Sequence, residues 1–185
     1  MNTTLIQRYS SEEVKHALFQ MHPSKSPKSD GMPLFFFQKY WHIVGQDVTT
    51  TVLSVLNFGH MLHKMNFTHI VLIPKNNELK NMSDYWPISL GNVISIIVSK
   101  VVANRLKHVL PMVISNAQSA FVPNRLITNN TTIAYELLHR MRNRRKRRMG
   151  QMAVKIDISK AYDRMEWGFL CQIMLKLGFD PKCAR

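Results

Sequence analysis

The sequence predicts one helix-rich α+β domain spanning residues 1–185, and three observations lead to this fold class. The chain has 185 residues, enough for one ordinary domain with a core and too few for two large ones. Hydrophobic residues make up 45% and charged residues 19%, a balance typical of globular proteins. Apolar residues recur at helical spacing along most of the chain, and few stretches have the composition of a strand.

The first half of the chain predicts two helices and then a strand. Ser10 and Glu13 make a capping-box pattern, in which each side chain bonds the other residue's backbone at the start of a helix. The aromatic group at 35–41 opens a second helical stretch, and Gly59 ends it. The apolar, β-branched run Thr68–Pro74 predicts a short strand.

Helices also dominate the middle of the chain. A polar loop is predicted over 75–87. Apolar residues then recur at helical spacing between Ile94 and Leu106, and again over 127–141, which predicts one long amphipathic helix and a further helix after it. Neither an internal repeat nor an obvious linker separates these segments, so we assign them to the same domain.

The stretch Met152–Ile158 predicts a second strand, followed directly by a helix over 161–177. Apolar residues alternate there with Ala153, Lys155 and Asp157, so one face is apolar and the other presents Asp157 near the strand's end. A carboxylate beside a strand-to-helix turn can hold a hard cation. Taken alone, such an aspartate is more often a turn or capping residue.

The charge of the chain favours a polyanionic partner. Lys and Arg number 25 against 11 Asp and Glu, which gives a formal net charge of +14 and a pI near 10.1. Each cationic side chain that meets a phosphate releases a condensed counterion, so this excess predicts binding to nucleic acid in general. The alternative is a basic surface that only keeps the chain soluble.

Several other classes are not predicted. No apolar run is long enough for a membrane span, and the first ten residues lack a signal-peptide core, so we expect no membrane partner and an intracellular location, in the nucleus or cytoplasm. Cys171 and Cys183 are twelve residues apart without a second ligand pair, a pattern that predicts neither a zinc site nor a disulfide framework.

Seven ordered segments give the sequence a specific family resemblance. Lys155–Arg164 (KIDISKAYDR) closely resembles the first catalytic motif of the reverse transcriptases of plant non-LTR (LINE-type) retrotransposons. The other six agree with that family in order and spacing: Phe35–Trp41 (FFFQKYW), Ile70–Lys75 (IVLIPK), Pro87–Leu90 (PISL), Lys100–Leu106 (KVVANRL), Gln118–Pro123 (QSAFVP) and Tyr135–Leu138 (YELL). The resemblance runs from about Ser10 to Phe179.

This resemblance implies a partial reverse transcriptase domain, an N-terminal fragment of a right-hand polymerase. Residues of about 10–150 would form a fingers-like region and 151–185 the first strand and helix of the palm, without the rest of the palm and the thumb. The implied activity is RNA-directed DNA polymerase, a nucleotidyltransferase that copies an RNA template from a DNA primer. The implied cofactor is Mg²⁺, used in two-metal chemistry.

The same resemblance assigns roles to single residues. Asp157 matches the catalytic, metal-binding carboxylate. Ile158 would lie against the metal and the triphosphate, and Tyr162 matches the aromatic residue that crowds the 2′-hydroxyl of a ribonucleotide, although a helical core aromatic is the alternative. Pro87 matches the fingers segment that contacts the incoming nucleotide.

Nucleic-acid contacts are expected from two further segments. Gln118 and, just after its motif, Arg125 resemble the segment that lies along the template. The stretch 140–148 holds seven basic residues in nine. It would contact phosphate or act as a nuclear-import patch, while a solvated connection between helix and strand is an equal alternative. The residues of this run assigned to nucleic acid are Arg144, Arg145, Lys146, Arg147 and Arg148.

Departures from the family predict a degenerate, truncated and inactive copy. Trp86 stands where an arginine grips phosphate oxygens, which counts against binding of a deoxynucleoside triphosphate. Asn124 stands where glycine is common. The second catalytic motif, an aromatic-Ala-Asp-Asp turn, is not reached before Arg185. The rival interpretation is a non-catalytic, basic nucleic-acid-binding fragment.

Overall fold

The computed structural model describes residues 1–24, 31–143, 152–158 and 160–184. The chain divides into two compact units, one formed by Gln7–Asn104 and the other by Met1–Ile6 together with Arg105–Arg185. The predicted mixture of many helices and little sheet is confirmed. The family-based boundary near residue 150 stays a prediction.

Helices form most of the described chain, and their bounds follow the apolar periodicity of the sequence. The helices are α1 (Asn2–Ile6), α2 (Ser11–Phe19), α3 (Leu34–Lys39), α4 (Trp41–Phe58), α5 (His63–Asn66), α6 (Val93–Val113), α7 (Ile127–Asn143) and α8 (Trp167–Lys176). The strands are β1 (Thr68–Pro74) and β2 (Tyr85–Gly91), with a 3₁₀ turn at Met82–Asp84.

The start of α2 confirms the predicted capping box. The Glu13 backbone N–H donates to Ser10 Oγ at 3.4 Å, and the Ser10 N–H donates to Glu13 Oε2 at 2.9 Å. Both bonds satisfy backbone donors that a helix otherwise leaves without an intrahelical partner. At the far end of α4, Gly59 takes a left-handed φ of 74°, as its predicted role in ending that helix requires.

The core of the unit 7–104 lies where α2, α3 and α4 meet the first half of α6. Gln38 ties α3 to the end of α2, because its side-chain amide donates to the carbonyls of Leu18 and Met21 at 2.9 and 2.8 Å. The Trp41 ring packs across Gly45. The buried members of this core are Val14, Ala17, Leu18, Met21, Leu34, Phe37, Val48, Val52, Val93, Ile97 and Val101.

The other unit has a smaller set of buried side chains, and hydrogen bonds attach α1 to it. The Asn2 side-chain amide donates to the Gly178 carbonyl at 2.9 Å, and the Asp180 N–H donates to Asn2 Oδ1 at 3.1 Å. Its buried apolar side chains are Val109, Val122, Phe179 and Ala184. No described helix is both long and apolar enough to cross a membrane.

The strands β1 and β2 form a two-stranded antiparallel ribbon, so the predicted loop over 75–87 is partly wrong. Strand β1 has the predicted bounds, but the loop ends at Asp84 and Pro87 lies inside β2, opposite Leu72. A proline inside a run of residues argues against a central strand. Both strands of a two-stranded ribbon are edges, where proline is tolerated.

The predicted strand at Met152–Ile158 is also wrong, because this segment pairs with no other described strand. Alternating apolar and polar residues would give a strand one apolar and one polar face. A strand also needs backbone hydrogen bonds to a neighbouring strand, which alternation alone does not provide. The helix predicted from 161 begins only at Trp167, since residues 160–164 form turns. Lys160 there has a φ of 53°, a left-handed conformation that a helix does not continue.

Candidate functional site

Asp157 lies in an exposed segment without regular secondary structure, in the unit that contains α8. Every described residue of 152–158 is exposed, and Ile158 keeps 62% of its surface in contact with solvent. Lys160, three residues after Asp157, takes the left-handed conformation noted above. Strained backbone of this kind in a non-glycine residue occurs preferentially at functional sites. Because Asp157 is exposed, its carboxylate is accessible, as a metal-binding group must be.

Tyr162 lies in the turn between Asp157 and α8, and its side chain is 93% exposed. The Asp163 and Arg164 N–H groups both donate to the Lys160 carbonyl, at 3.1 and 3.2 Å, which holds the turn. The alternative interpretation of Tyr162 as a helical core aromatic is wrong. Its ring lines an open hollow of about 570 Å³ whose other lining residues are Ala161, Asp163, Met165, Trp167 and Leu170.

Pro87 belongs to the ribbon, in the unit 7–104, and the ribbon's loop end brings together a lysine and a tryptophan. The Lys75 ammonium lies 4.5 Å from the centroid of the Trp86 ring. It also donates to the Ser83 carbonyl at 2.6 Å. Trp86 stands where the family that the sequence resembles has an arginine, and in this chain its ring contacts the Lys75 cation.

Asp84 closes the loop between the two strands. Its Oδ2 accepts the backbone N–H groups of Lys80 and Asn81 at 2.9 and 2.8 Å. These two hydrogen bonds lower the pKa of the Asp84 carboxyl, with a smaller contribution from the charge of Lys75. The Asp84 carbonyl accepts the Lys75 N–H at 2.8 Å, and this hydrogen bond joins the first and last residues of the loop.

Gln118 and Arg125, both predicted to lie along the template, are brought into contact. The Arg125 guanidinium donates to the carbonyl of Gln118 at 2.8 Å and to that of Ser115 at 2.5 Å. It donates further to the Ile114 carbonyl and to Asn116 Oδ1, both at 3.3 Å. Arg125 thus binds the loop that follows α6, while the exposed Gln118 side-chain amide donates to the Ala120 carbonyl at 3.4 Å.

The departure at Asn124 has a conformational explanation. Asn124 has a φ of 63°, in the left-handed region that glycine adopts without strain and asparagine adopts more readily than most residues. Phe121 shares this conformation at φ 63°, and its side chain is 94% exposed. The segment 118–125 therefore holds two left-handed residues, and its arginine, Arg125, binds the Gln118 carbonyl.

The basic run Arg144–Arg148 lies outside the described residues. The helix before it, α7, is described, and its side chains from Ile127 to Arg140 are all exposed. Arg142 is exposed as well. The predicted phosphate contacts of the run stay predictions.

The described residues do not make a complete metal site. Among residues 1–24, 31–143, 152–158 and 160–184, no group of three or more His, Cys, Asp or Glu side chains lies close enough to hold an ion. Asp157 supplies one carboxylate, and a hard cation such as Mg²⁺ takes several oxygen ligands. The described residues therefore supply only part of the oxygen ligands that a Mg²⁺ ion would need.

Sequence reasoning missed two residues that organise these segments. Lys75 is the last residue of the motif Ile70–Lys75. Its contact with Trp86 depends on the pairing of β1 with β2, and the sequence predicted the start of β2 as part of a loop. No motif of the sequence resemblance includes Asp84. The signal that could have found it is Asn81 three residues before Asp84, an N-cap and third-residue pair that the structure shows as a capping box.

The chain matches one protein family and is similar to proteins of two transposable elements. Residues 73–184 match the family described as reverse transcriptase (RNA-dependent DNA polymerase). The chain is 30% identical over 171 residues to the transposon TX1 uncharacterized 149 kDa protein of Xenopus laevis, covering 92% of this chain and 13% of that protein. It is 25% identical over 176 residues to the retrovirus-related Pol polyprotein from type-1 retrotransposable element R2 of Popillia japonica, covering 91% of this chain and 22% of that protein.

Proposed function

The chain belongs to the reverse transcriptase (RNA-dependent DNA polymerase) family, and from that membership we propose that it derives from the RNA-directed DNA polymerase of a LINE-type non-LTR retrotransposon of plant origin. The relatives named for the elements TX1 and R2 support the non-LTR assignment. The seven segments that resemble LINE-type elements of plants support the assignment to that type of non-LTR retrotransposon. The chain spans less than a quarter of either relative, so the whole protein's activity is part of this proposal.

One observation carries the proposal. The family match encloses Asp157, Ile158 and Tyr162, and all three side chains are exposed. A residue that touches a nucleotide must be reachable, and a carboxylate with solvent on its side can exchange water for a metal ion. We assign Asp157 as one Mg²⁺ ligand, and Ile158, Tyr162 and Pro87 as nucleotide contacts.

The proposed partners are an RNA template and a DNA primer. Gln118 would contact the template, because its side chain is exposed on a loop that the Arg125 guanidinium holds in place. We propose that Arg125 acts through this loop instead of by gripping phosphate, since its donors already meet four oxygen acceptors. The run 144–148 would add sequence-independent phosphate contacts.

A second function, non-catalytic binding of nucleic acid, is favoured by two departures. Trp86 cannot supply the guanidinium fork that would grip a triphosphate. These 185 residues contain no two consecutive aspartates, so two-metal chemistry would have to draw its remaining carboxylates from elsewhere. We therefore propose that the 185-residue polypeptide is a degenerate copy that binds a primer–template and does not extend it.

Primer extension and binding, measured on the same preparation, test both parts. The purified chain is mixed with an RNA template carrying a labelled DNA primer, deoxynucleoside triphosphates and Mg²⁺ or Mn²⁺. We expect a shifted complex without extension. Extension that disappears in Asp157→Asn would overturn the proposed inactivity and establish the enzyme. Failure to bind any primer–template would overturn the nucleic-acid function.

A further inference from the structure

We propose that Cys171 and Cys183 form a modification site, at which a small-molecule disulfide such as oxidised glutathione converts the two thiols into a reversible intramolecular disulfide. This site is independent of the proposed function. The spacing of the two cysteines in the sequence predicted no disulfide framework. The fold of the chain after α8 is what brings Cys183 back towards Cys171.

The contact that Cys171 makes in the structure is the first observation behind this site. Its thiol donates to the carbonyl of Ala184 at 2.6 Å. Ala184 directly follows Cys183, and consecutive Cα atoms are about 3.8 Å apart. A disulfide joins residues whose Cα atoms lie about 4.4–6.8 Å apart. The Cys171 thiol therefore contacts the residue next to its proposed partner.

A defined turn returns the chain to Cys171. Gly178, just after the end of α8, has a left-handed φ of 86°, a conformation that lets the chain change direction at a helix end. Asp180 shapes the next turn, because its carbonyl accepts the Cys183 N–H and its Oδ1 accepts the Lys182 N–H, both at 2.8 Å. These hydrogen bonds hold the backbone at Cys183, so closing the disulfide costs little further chain entropy.

Burial holds the same turn in place. Phe179 and Ala184 are both 6% exposed, and the two cysteines are partly buried. Burial of the Cys183 thiol, and after it the charge of Asp180, raise the pKa of that thiol. Cys183 is therefore protonated at neutral pH, and it must lose this proton when the disulfide forms.

The chemistry is thiol–disulfide exchange in two steps. The thiolate of one cysteine attacks a sulfur of the small disulfide, whose S–S bond breaks and releases one small thiol, and a mixed disulfide remains on the protein. The other cysteine gives its proton to water, and its sulfur attacks the protein sulfur of the mixed disulfide. The second small thiol then leaves and takes up a proton. In total, the protein pair loses two electrons and two protons, and the oxidant is reduced to two thiols.

The test compares the native 185-residue chain with the same chain unfolded in urea. Both are equilibrated with oxidised and reduced glutathione, quenched with acid and digested with trypsin. Trypsin cleaves after Lys176 and Lys182, so the disulfide links the peptide Met165–Lys176 to Cys183–Arg185, and mass spectrometry measures the linked pair. We expect the equilibrium constant for the exchange to be at least about tenfold higher in the native chain, because the fold raises the effective concentration of one thiol at the other.

The matched variants are Cys171→Ser and Cys183→Ser. A serine hydroxyl at position 171 can still donate to the Ala184 carbonyl, so the contact stays while the exchange is lost. Each variant should accumulate a mixed disulfide with glutathione and no linked pair, with the circular dichroism spectrum of the unmodified chain. Oxidation should raise the melting temperature of the unmodified chain, dithiothreitol should reverse this, and neither variant should respond.

The outcomes decide between a disulfide site and two thiols that only pack. Equal equilibrium constants in the native chain and in urea would overturn the site whether or not the serine variants fold. Mixed disulfides on both cysteines of the native chain, without a linked pair, would overturn it as well. So would linkage only between two chains, which a non-reducing gel detects. None of these results bears on nucleic-acid binding, which the primer–template measurement tests separately.

Discussion

The Arg125 guanidinium donates to the backbone carbonyl of Gln118 at 2.8 Å, so two residues that are both predicted to contact the template form a hydrogen bond with each other. The carbonyls of Ile114 and Ser115, which directly follow α6, accept from the same side chain. Carbonyls at a helix end have no intrahelical partner, and a positive charge there also interacts favourably with the helix dipole. Arg125 thus organises the segment from which Gln118 projects.

Replacing Arg125 tests this structural role. Arg125→Lys keeps the charge but loses the planar fork that reaches several acceptors at once. We expect the free energy of unfolding to fall by about 1–2 kcal/mol, because the carbonyls of Ile114 and Gln118 lose the guanidinium that donates to them. Arg142→Lys, at an exposed position of α7, is the matched control and should change little. Urea denaturation of both variants measures the difference, and equal stabilities would show that the Arg125 contacts contribute nothing.

Gly45 and Gly168 are expected to respond in opposite directions to the same substitution. A Cβ on Gly45 would lie 2.7 Å from Cε2 of Trp41, so Gly45→Ala must displace the ring and should destabilise the chain by about 1–3 kcal/mol. A Cβ on Gly168 meets nothing within 4 Å, so Gly168→Ala in α8 should stabilise by about 0.5–1 kcal/mol. Thermal melts of the two variants check this. A loss of stability at both positions would contradict it.

Local signals predicted the helices well, because the residues that start and stop a helix are neighbours in sequence. Ser10 and Glu13 form the bonds that their spacing indicates, and Gly59 has the conformation that ends α4. Thr68–Pro74 was recognised because its own side chains favour a strand. Each of these features depends on residues no more than a few positions apart.

Sheet pairing could not be predicted in the same way. Pro87 was assigned to a loop because its partner Leu72 is fifteen residues away and no local pattern connects them. Met152–Ile158 has the alternation of a strand, but alternation does not supply a neighbour. For the same reason the sequence does not reveal the Lys75–Trp86 contact. The position of Asp157 near the end of a predicted strand drew attention to that residue, whereas Tyr162 was found only through the family resemblance.

The loop between β1 and β2 should respond to acid at Asp84. The hydrogen bonds from Lys80 and Asn81 lower the pKa of this carboxyl, so they form with the ionised group. The stabilisation is therefore present above the pKa of the unfolded chain, about 3.9, and is lost as the pH falls through the lower folded value. In an NMR titration, the amide protons of Lys80 and Asn81 should shift with a midpoint below that of an unperturbed aspartate. Asp84→Asn should abolish both shifts, and a midpoint at or above about 3.9 would contradict the geometry.

The basic run should control the salt dependence of nucleic-acid binding. Each phosphate contact releases counterions, so affinity should fall steeply as salt rises. Replacing Arg144, Arg145, Lys146, Arg147 and Arg148 with Gln should flatten that dependence for RNA and DNA of any sequence. Anisotropy titrations at several salt concentrations measure it, with Lys15→Gln on α2 as a single-charge control. An unchanged slope would assign the run to a solvated connection.

The exposed segment 152–158 should drive association of the 185-residue chain. Met152 and Ile156 keep 84% and 83% of their surface exposed, and the segment pairs with no described strand. Unpaired backbone groups beside apolar side chains form a template for pairing with another chain. We expect concentration-dependent oligomers in size-exclusion chromatography, and a helical circular dichroism spectrum that melts over a broad range.

A charge placed on this segment should relieve the association. Ile156→Lys would put an ammonium on this exposed segment, and natural sheets use charged side chains in the same way to prevent strand pairing. We expect this variant to elute closer to the monomer position than the unmodified chain. Met112→Lys, at a residue that is 65% exposed near the end of α6, adds the same charge elsewhere and should not have this effect. A monodisperse monomer with one sharp thermal transition for the unmodified chain would show that 152–158 needs no partner strand.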